Sequence, residues 1–482
     1  MKKFLPMAIM LFCILFNYTI VRDIKDALVV KEAGAETISF IKFWIVTPLA
    51  IIFVILYSKL SNKLSKEKLF YYTTLLFIVF FVCFGFILYP MKDYILPKEE
   101  NINLIINLFP TGRWFIMIYA KWIYVLFYAF SELWGSVIIS LLFWQFANQI
   151  TSVLDAKRYY PMFGLIGNLG LIVSGQTLKA LTLYGQKTLG ETENPFDITL
   201  KYILFLFTIS GIIFMYLYHW VNKNITSKEL LSDEKSKFQN RKDNVSNLSL
   251  KESVKLICSS KYLLLIFVLV FSYGISINLV EVTWKKQLGN AFTSMNEYAA
   301  FMGDFSTYTG IITIVLIFVG SGIIRVFGWF TAALITPIVL LLTSFVFFSS
   351  LIFKDAILSI TTALYTTPLM LAIFVGSVQN MLTKASKYCL FDATKEMSYI
   401  PLSNELKVKG KAAVDVIGSR FGKSSGSLVQ QFLLTTIAAG AVNGQEIIAP
   451  YLFLFIICAI TIWIVAIVKL NKKFNLMNND KN

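Results

Sequence analysis

Twelve times along 482 residues the chain turns apolar for about the length of helix that a bilayer demands. A hydrocarbon core of roughly 30 Å takes about 20 helical residues to cross. The runs read as 4–22, 41–58, 69–89, 115–145, 161–181, 200–219, 262–280, 307–326, 328–350, 356–383, 413–437 and 449–469, here numbered spans 1 to 12. Inside hydrocarbon every backbone N–H and C=O needs an internal partner, so these runs must be helices. Composition excludes the soluble alternative. Hydrophobic residues make up 57% of the chain and charged ones 15%, against about 25% charged in an average soluble domain. Runs 4 and 10 are long, so those helices are expected to tilt or to project from the bilayer. The fold class is therefore an all-α polytopic membrane protein of about twelve spans.

The distribution of basic residues sets a direction. Residues 59–68 hold four lysines, and basic sites recur at Lys157-Arg158, through 221–261, at Arg325, at Lys407, Lys409 and Lys411, and at Lys469, Lys472 and Lys473. With twelve spans all of these fall on one side. The opposite loops, such as 91–110 and 182–199, carry acidic residues about as often as lysine. Positive charge marks the cytoplasmic side, so both termini are expected there. The formal net charge of +16 is spread over separated short loops, which does not suit nucleic acid. Met1-Lys2-Lys3 and the apolar run behind it read as a retained first span, because no small-x-small cleavage site follows.

One long polar stretch, 221–261, separates six spans from six. The expected organisation is a six-helix bundle over 1–220, a cytoplasmic linker over 221–261, a second bundle over 262–470 and a tail over 471–482. An internal repeat supports it. Asn17-Tyr18 leads to Lys25-Asp26 as Ser272-Tyr273 leads to Glu281, and Phe146-Ala147-Asn148 precedes a Gly-rich span as Phe391-Asp392-Ala393 does. Repeats of this kind place substrate near the bilayer midplane. Gly164, Gly167, Gly170 and Ser174 line span 5, and Gly418, Gly422 and Gly426 line span 11. Close helix packing and rocking at these contacts are both open readings.

Charged residues inside apolar runs are costly and usually serve a function. Glu132 stands in such a run; it is either a pairing partner for a lysine or a working group. Arg22, Lys25 and Asp26 share one helical face, and so do Asn278, Glu281 and Lys285. Each set either marks a membrane edge or faces a cavity. Lys423, within Gly418-Ser419-Arg420-Phe421-Gly422-Lys423-Ser424-Ser425-Gly426, looks at first like a phosphate loop. Its first pair of glycines is separated by three residues where that motif needs four, and no strand precedes it. It reads instead as a helical glycine stripe that carries a lysine into the cavity. So many cations (Lys25, Lys423, Arg22, Arg420) suit a polyanion better than a sugar.

Catalytic alternatives find little support. The five cysteines (Cys13, Cys83, Cys258, Cys389, Cys458) have no ligand spacing, and the single histidine, His219, stands alone, so neither a metal nor another cofactor is expected. A membrane transferase would need a His–Asp or Asp-x-Asp constellation, and none is present. A channel would need several chains around one pore, whereas this chain holds both halves itself, so a monomer is expected.

The stretches Asn17-Tyr18 through Lys25-Asp26-Ala27-Leu28-Val29-Val30, Ser131-Glu132-Leu133-Trp134-Gly135, Phe143-Trp144-Gln145-Phe146-Ala147-Asn148-Gln149-Ile150-Thr151, Asn278-Leu279-Val280-Glu281 with Trp284-Lys285, Phe391-Asp392-Ala393-Thr394-Lys395-Glu396-Met397 through Ile400-Pro401-Leu402, Lys409-Gly410-Lys411-Ala412-Ala413 and Gly422-Lys423-Ser424 carry a further signal. Together they resemble the nucleotide (ATP:ADP) transporters of obligate intracellular bacteria and plastids. The resemblance covers nearly the whole chain. It implies a fold similar to the major facilitator superfamily and exchange of external ATP for internal ADP. It also implies that Lys25, Glu132, Glu281 and Lys423 are functional. Relatives that take GTP, CTP, UTP or NAD, or that couple to protons, make those the alternative. On this reading the partners are ATP, ADP and the lipid bilayer. Lys25 and Lys423 hold phosphates, with Arg22 and Asn278 as further contacts.

Overall fold

A computed structural model describes residues 4–151, 153–188, 194–226, 250–403, 406, 410–411, 413–414 and 418–479. Every regular element among them is helical. Eight stretches are long and apolar enough to cross a bilayer. One of them, Met295–Ile352, breaks at Gly328, where φ is 76° and ψ is 180°, and so supplies spans 8 and 9. The more polar helices Val153–Thr188, Pro368–Ser386 and Ser419–Thr436 supply spans 5, 10 and 11. Among the described residues the total is twelve.

Several boundaries move. Span 1 runs over Phe4–Glu32, and span 7 over Lys261–Ala291, about ten residues past the apolar runs. Twenty-nine residues make about 43 Å of helix. An apolar count stops at the first charges, but here those charges turn inward and the helix continues. Gly34, at φ 86°, follows the end of span 1. Span 4 is not one helix from 115 to 145. Arg113–Ala120 ends at Lys121, and Trp122–Ile150 follows with a wide π-helical section at Gly135–Phe143. Span 10 begins at Pro368 rather than 356, with the Thr367 hydroxyl accepting from Met370 N–H. It continues through a π turn, Lys387–Phe391, to Ser398. Most of the polar linker, 227–249, and also Lys407 and Lys409, lie outside the described residues. The last helix, Gly444–Asn479, carries on into the expected tail.

The chain divides into two compact units, residues 1–235 with 292–311, and 236–291 with 312–482. In the first, span 1 packs against spans 4, 5 and 6. Trp134 of span 4 donates its indole N–H to Ile14 O at 3.2 Å, and Asn17 donates to Phe207 O at 3.0 Å. Gly170 lets span 5 meet the span 1 backbone: a Cβ there would lie 3.3 Å from Phe12 O. Residues 295–311 join this unit, with Lys179 bonded to both carboxylate oxygens of Asp304 at 2.9 and 2.8 Å.

In the second unit span 7 packs against spans 10, 11 and 12. Trp284 donates to Ile373 O at 3.2 Å, pinning span 7 to span 10. The glycine stripe of span 11 lies against span 7, with Gly418 on Val270, Gly422 on Phe271 O and Gly274, and Gly426 on Ile275 O. Backbones approach there as small-residue contacts in a bilayer require.

Candidate ligand-binding site

Two clusters of charge, one in each unit, hold Lys25 with Glu132 and Glu281 with Lys285. In the first, Lys25 is 2% exposed. Its Nζ lies 2.9 Å from Asp26 Oδ1, 3.0 Å from Glu132 Oε1 and 3.8 Å from the Tyr128 ring centre. Tyr128 and Glu132 are one turn apart on span 4, so a single helical face offers an aromatic surface and a carboxylate together. A lysine marking only a membrane edge would be exposed; this one is enclosed, and its charge is compensated. Glu132 is 29% exposed along its side chain, so the pair is less enclosed on the carboxylate side than on the lysine side.

Arg22 does not join that group. It bonds to Asp23 at 3.0 Å and to Ser306 Oγ at 2.8 Å, while Ser306 donates to Asp23 at 2.5 Å. Asp23 is fully buried.

In the second unit, Glu281 Oε1 lies 3.4 Å from both Lys285 Nζ and Lys384 Nζ. Lys285 is 2% exposed, against 17% for Lys384 and 20% for Glu281. Asn278, one turn before Glu281, donates to Ser427 Oγ at 3.1 Å, and Ser427 donates to Lys423 O at 3.2 Å. The backbone at Lys423 is thereby tied to span 7, while its side chain is exposed and makes no ion pair among the described residues. Arg420 is exposed as well.

Lys25 is thus brought onto Glu132, Glu281 is placed between two lysines, Asn278 is linked to the Lys423 turn, and Arg22 is held apart. Three residues here carry no distinct signal of their own in the sequence: Asp23 stands beside Arg22, Tyr128 resembles any other aromatic in an apolar run, and Lys384 falls just past the expected end of span 10. The i, i+4 spacing of Tyr128 and Glu132 was the available signal. Among the described residues no cluster of His, Cys, Asp and Glu could hold a metal ion. Two clusters of opposed net charge thus stand within apolar helices, where charge is costly and usually serves a function.

Comparison with known proteins gives this arrangement a context. The sequence profile described as TLC ATP/ADP transporter matches residues 1–474. ADP,ATP carrier protein 1 of Chlamydia pneumoniae is 44% identical over 98% of this chain and 92% of its own. ADP,ATP carrier protein 3 of Rickettsia prowazekii (strain Madrid E) is 43% identical over 98% and 95%. ADP,ATP carrier protein 1, chloroplastic, of Arabidopsis thaliana is 44% identical over 100% and 75%. Among solved structures, a bacterial homologue of the iron transporter ferroportin in an inward-facing state overlays with a TM-score of 0.61 at 12% identity, covering 96% of this chain and 98% of its own. A D-xylose-proton symporter overlays at 0.53 and 10%, covering 97% and 96%. At such identities the overlays establish the fold alone, that of the major facilitator type.

Proposed function

Because the chain belongs to the TLC ATP/ADP transporter family, we propose that it exchanges external ATP for internal ADP across a bacterial inner membrane by alternating access. The observation that carries this reading is relatedness at 43–44% identity over nearly the whole chain to proteins named ADP,ATP carriers, in two bacterial genera and in plastids. The charge clusters support it. ATP and ADP are polyanions, and an ammonium beside a phosphate oxygen makes a strong charge-assisted hydrogen bond.

The substrate-binding residues on this reading are Lys25, Glu132, Glu281 and Lys423, with Asn278 and Arg22 as supports. Lys25 and Lys423 take phosphate oxygens. Glu132 and Glu281 hold cations in the empty carrier, so that unpaired charge is not left in an apolar surrounding. A bound nucleotide replaces those carboxylates as the counter-ion. The chain acts as a monomer and without a cofactor. The reading is tested by comparing labelled ATP uptake into vesicles with and without internal ADP.

Both termini and the polar linker face the cytoplasm, since basic residues concentrate on that side. In a variant lacking the five native cysteines, Ser246→Cys should resist an impermeant thiol reagent in intact cells and react after lysis. Labelling before lysis would reverse the orientation.

A further inference from the structure

The two units build their charge clusters from corresponding spans but with the signs exchanged. In the first unit span 1 supplies the cation, Lys25, and span 4 the carboxylate, Glu132, at 3.0 Å. In the second unit span 7 supplies the carboxylate, Glu281, and span 10 the cation, Lys384, at 3.4 Å. The likeness extends to the backbone. A π-helical section begins at Gly135, three residues after Glu132, and another at Lys387, three residues after Lys384. Such sections are frequent at functional sites because they turn neighbouring side chains off the regular helical register.

The local charge balance differs. Lys25, Asp26 and Glu132 together carry one excess negative charge. Glu281, Lys285 and Lys384 together carry one excess positive charge. Of those two lysines only Lys384 is exposed to any degree, at 17%, beside a carboxylate exposed to a similar extent, at 20%. Lys285 is enclosed and stays with Glu281.

We propose that Lys384 is a further substrate-binding residue, an ammonium that rests on Glu281 in the empty carrier and moves to a phosphate oxygen when nucleotide binds. This rests on the exchange reading above. Glu281 then acts as a stand-in for phosphate, and its removal should affect binding in the opposite sense to removal of Lys384. An ion pair that only holds spans 7 and 10 together predicts the same sign for both.

The test is ligand-induced thermal stabilisation of the purified full chain, titrated with adenosine, ADP and ATP. Lys384→Gln should weaken ADP and ATP binding by roughly tenfold to a hundredfold, the range of one lost charge-assisted contact, with adenosine unchanged. Lys384→Arg should retain most of the affinity. Glu281→Gln should bind ADP at least as tightly as the parent. If Lys384→Gln does not fold, Glu281→Gln/Lys384→Gln keeps the same local excess charge and should still bind ADP weakly. A Lys384→Gln variant, or that double variant, with parental ADP affinity overturns the proposal, as does a Glu281→Gln variant that binds ADP more weakly than the parent. A parent that neither ADP nor ATP stabilises overturns the exchange reading itself, and this one with it.

Discussion

Lys25→Gln should destabilise the protein by about 3–5 kcal/mol, the cost of breaking a buried ion pair from one side. The reason is local. Asp26 and Glu132 both lean on one ammonium, at 2.9 and 3.0 Å. Without it, Asp26, whose side chain is 2% exposed, keeps a charge that neither water nor a cation offsets as well. Glu132, at 29%, is far less enclosed and loses less. Lys25→Gln/Asp26→Asn should therefore recover most of the lost stability. If Lys25 also holds phosphate, this recovered variant should still bind ATP and ADP poorly. Thermal melting with and without nucleotide separates the two roles. Recovery of both stability and ATP binding would make Lys25 a structural residue only.

Lys423→Gln should behave differently. Its side chain is exposed and free of ion pairs among the described residues, so stability should change by no more than about 0.5 kcal/mol, as for most surface substitutions. Binding should suffer far more. One charge-assisted contact is worth on the order of 1.5–3 kcal/mol, or roughly tenfold to a hundredfold in affinity. ATP and ADP should both weaken while adenosine does not, because the nucleoside lacks the groups the lysine is assigned to hold. Thermal stabilisation of this variant by ATP at parental concentrations would remove Lys423 from the site.

Much of this molecule is legible in its sequence, and the parts that are not share a cause. Apolar length identifies the spans, since the bilayer imposes it directly. Glycine spacing identifies the face of span 11 that meets span 7. Helix ends were harder where charged residues turn inward: the apolar run of span 1 stops at residue 22, while the helix continues to Glu32 because Asp23, Lys25 and Asp26 are buried. The same effect hid Lys384, one residue beyond the expected end of span 10. Periodicity shows which residues share a face, as with Asn278, Glu281 and Lys285, but not which faces of two helices meet. The choice of Glu132 as the partner of Lys25 is a tertiary event. So are the π turns at Gly135–Phe143 and Lys387–Phe391, which depend on packing around them.

The most direct test is uptake of labelled ATP by proteoliposomes that contain the purified full chain and are loaded with ADP, with GDP or with buffer alone. The account predicts saturable uptake into ADP-loaded vesicles, inhibition by external ADP, and little uptake into vesicles holding GDP or buffer. Equal uptake into ADP-loaded and buffer-loaded vesicles would contradict exchange.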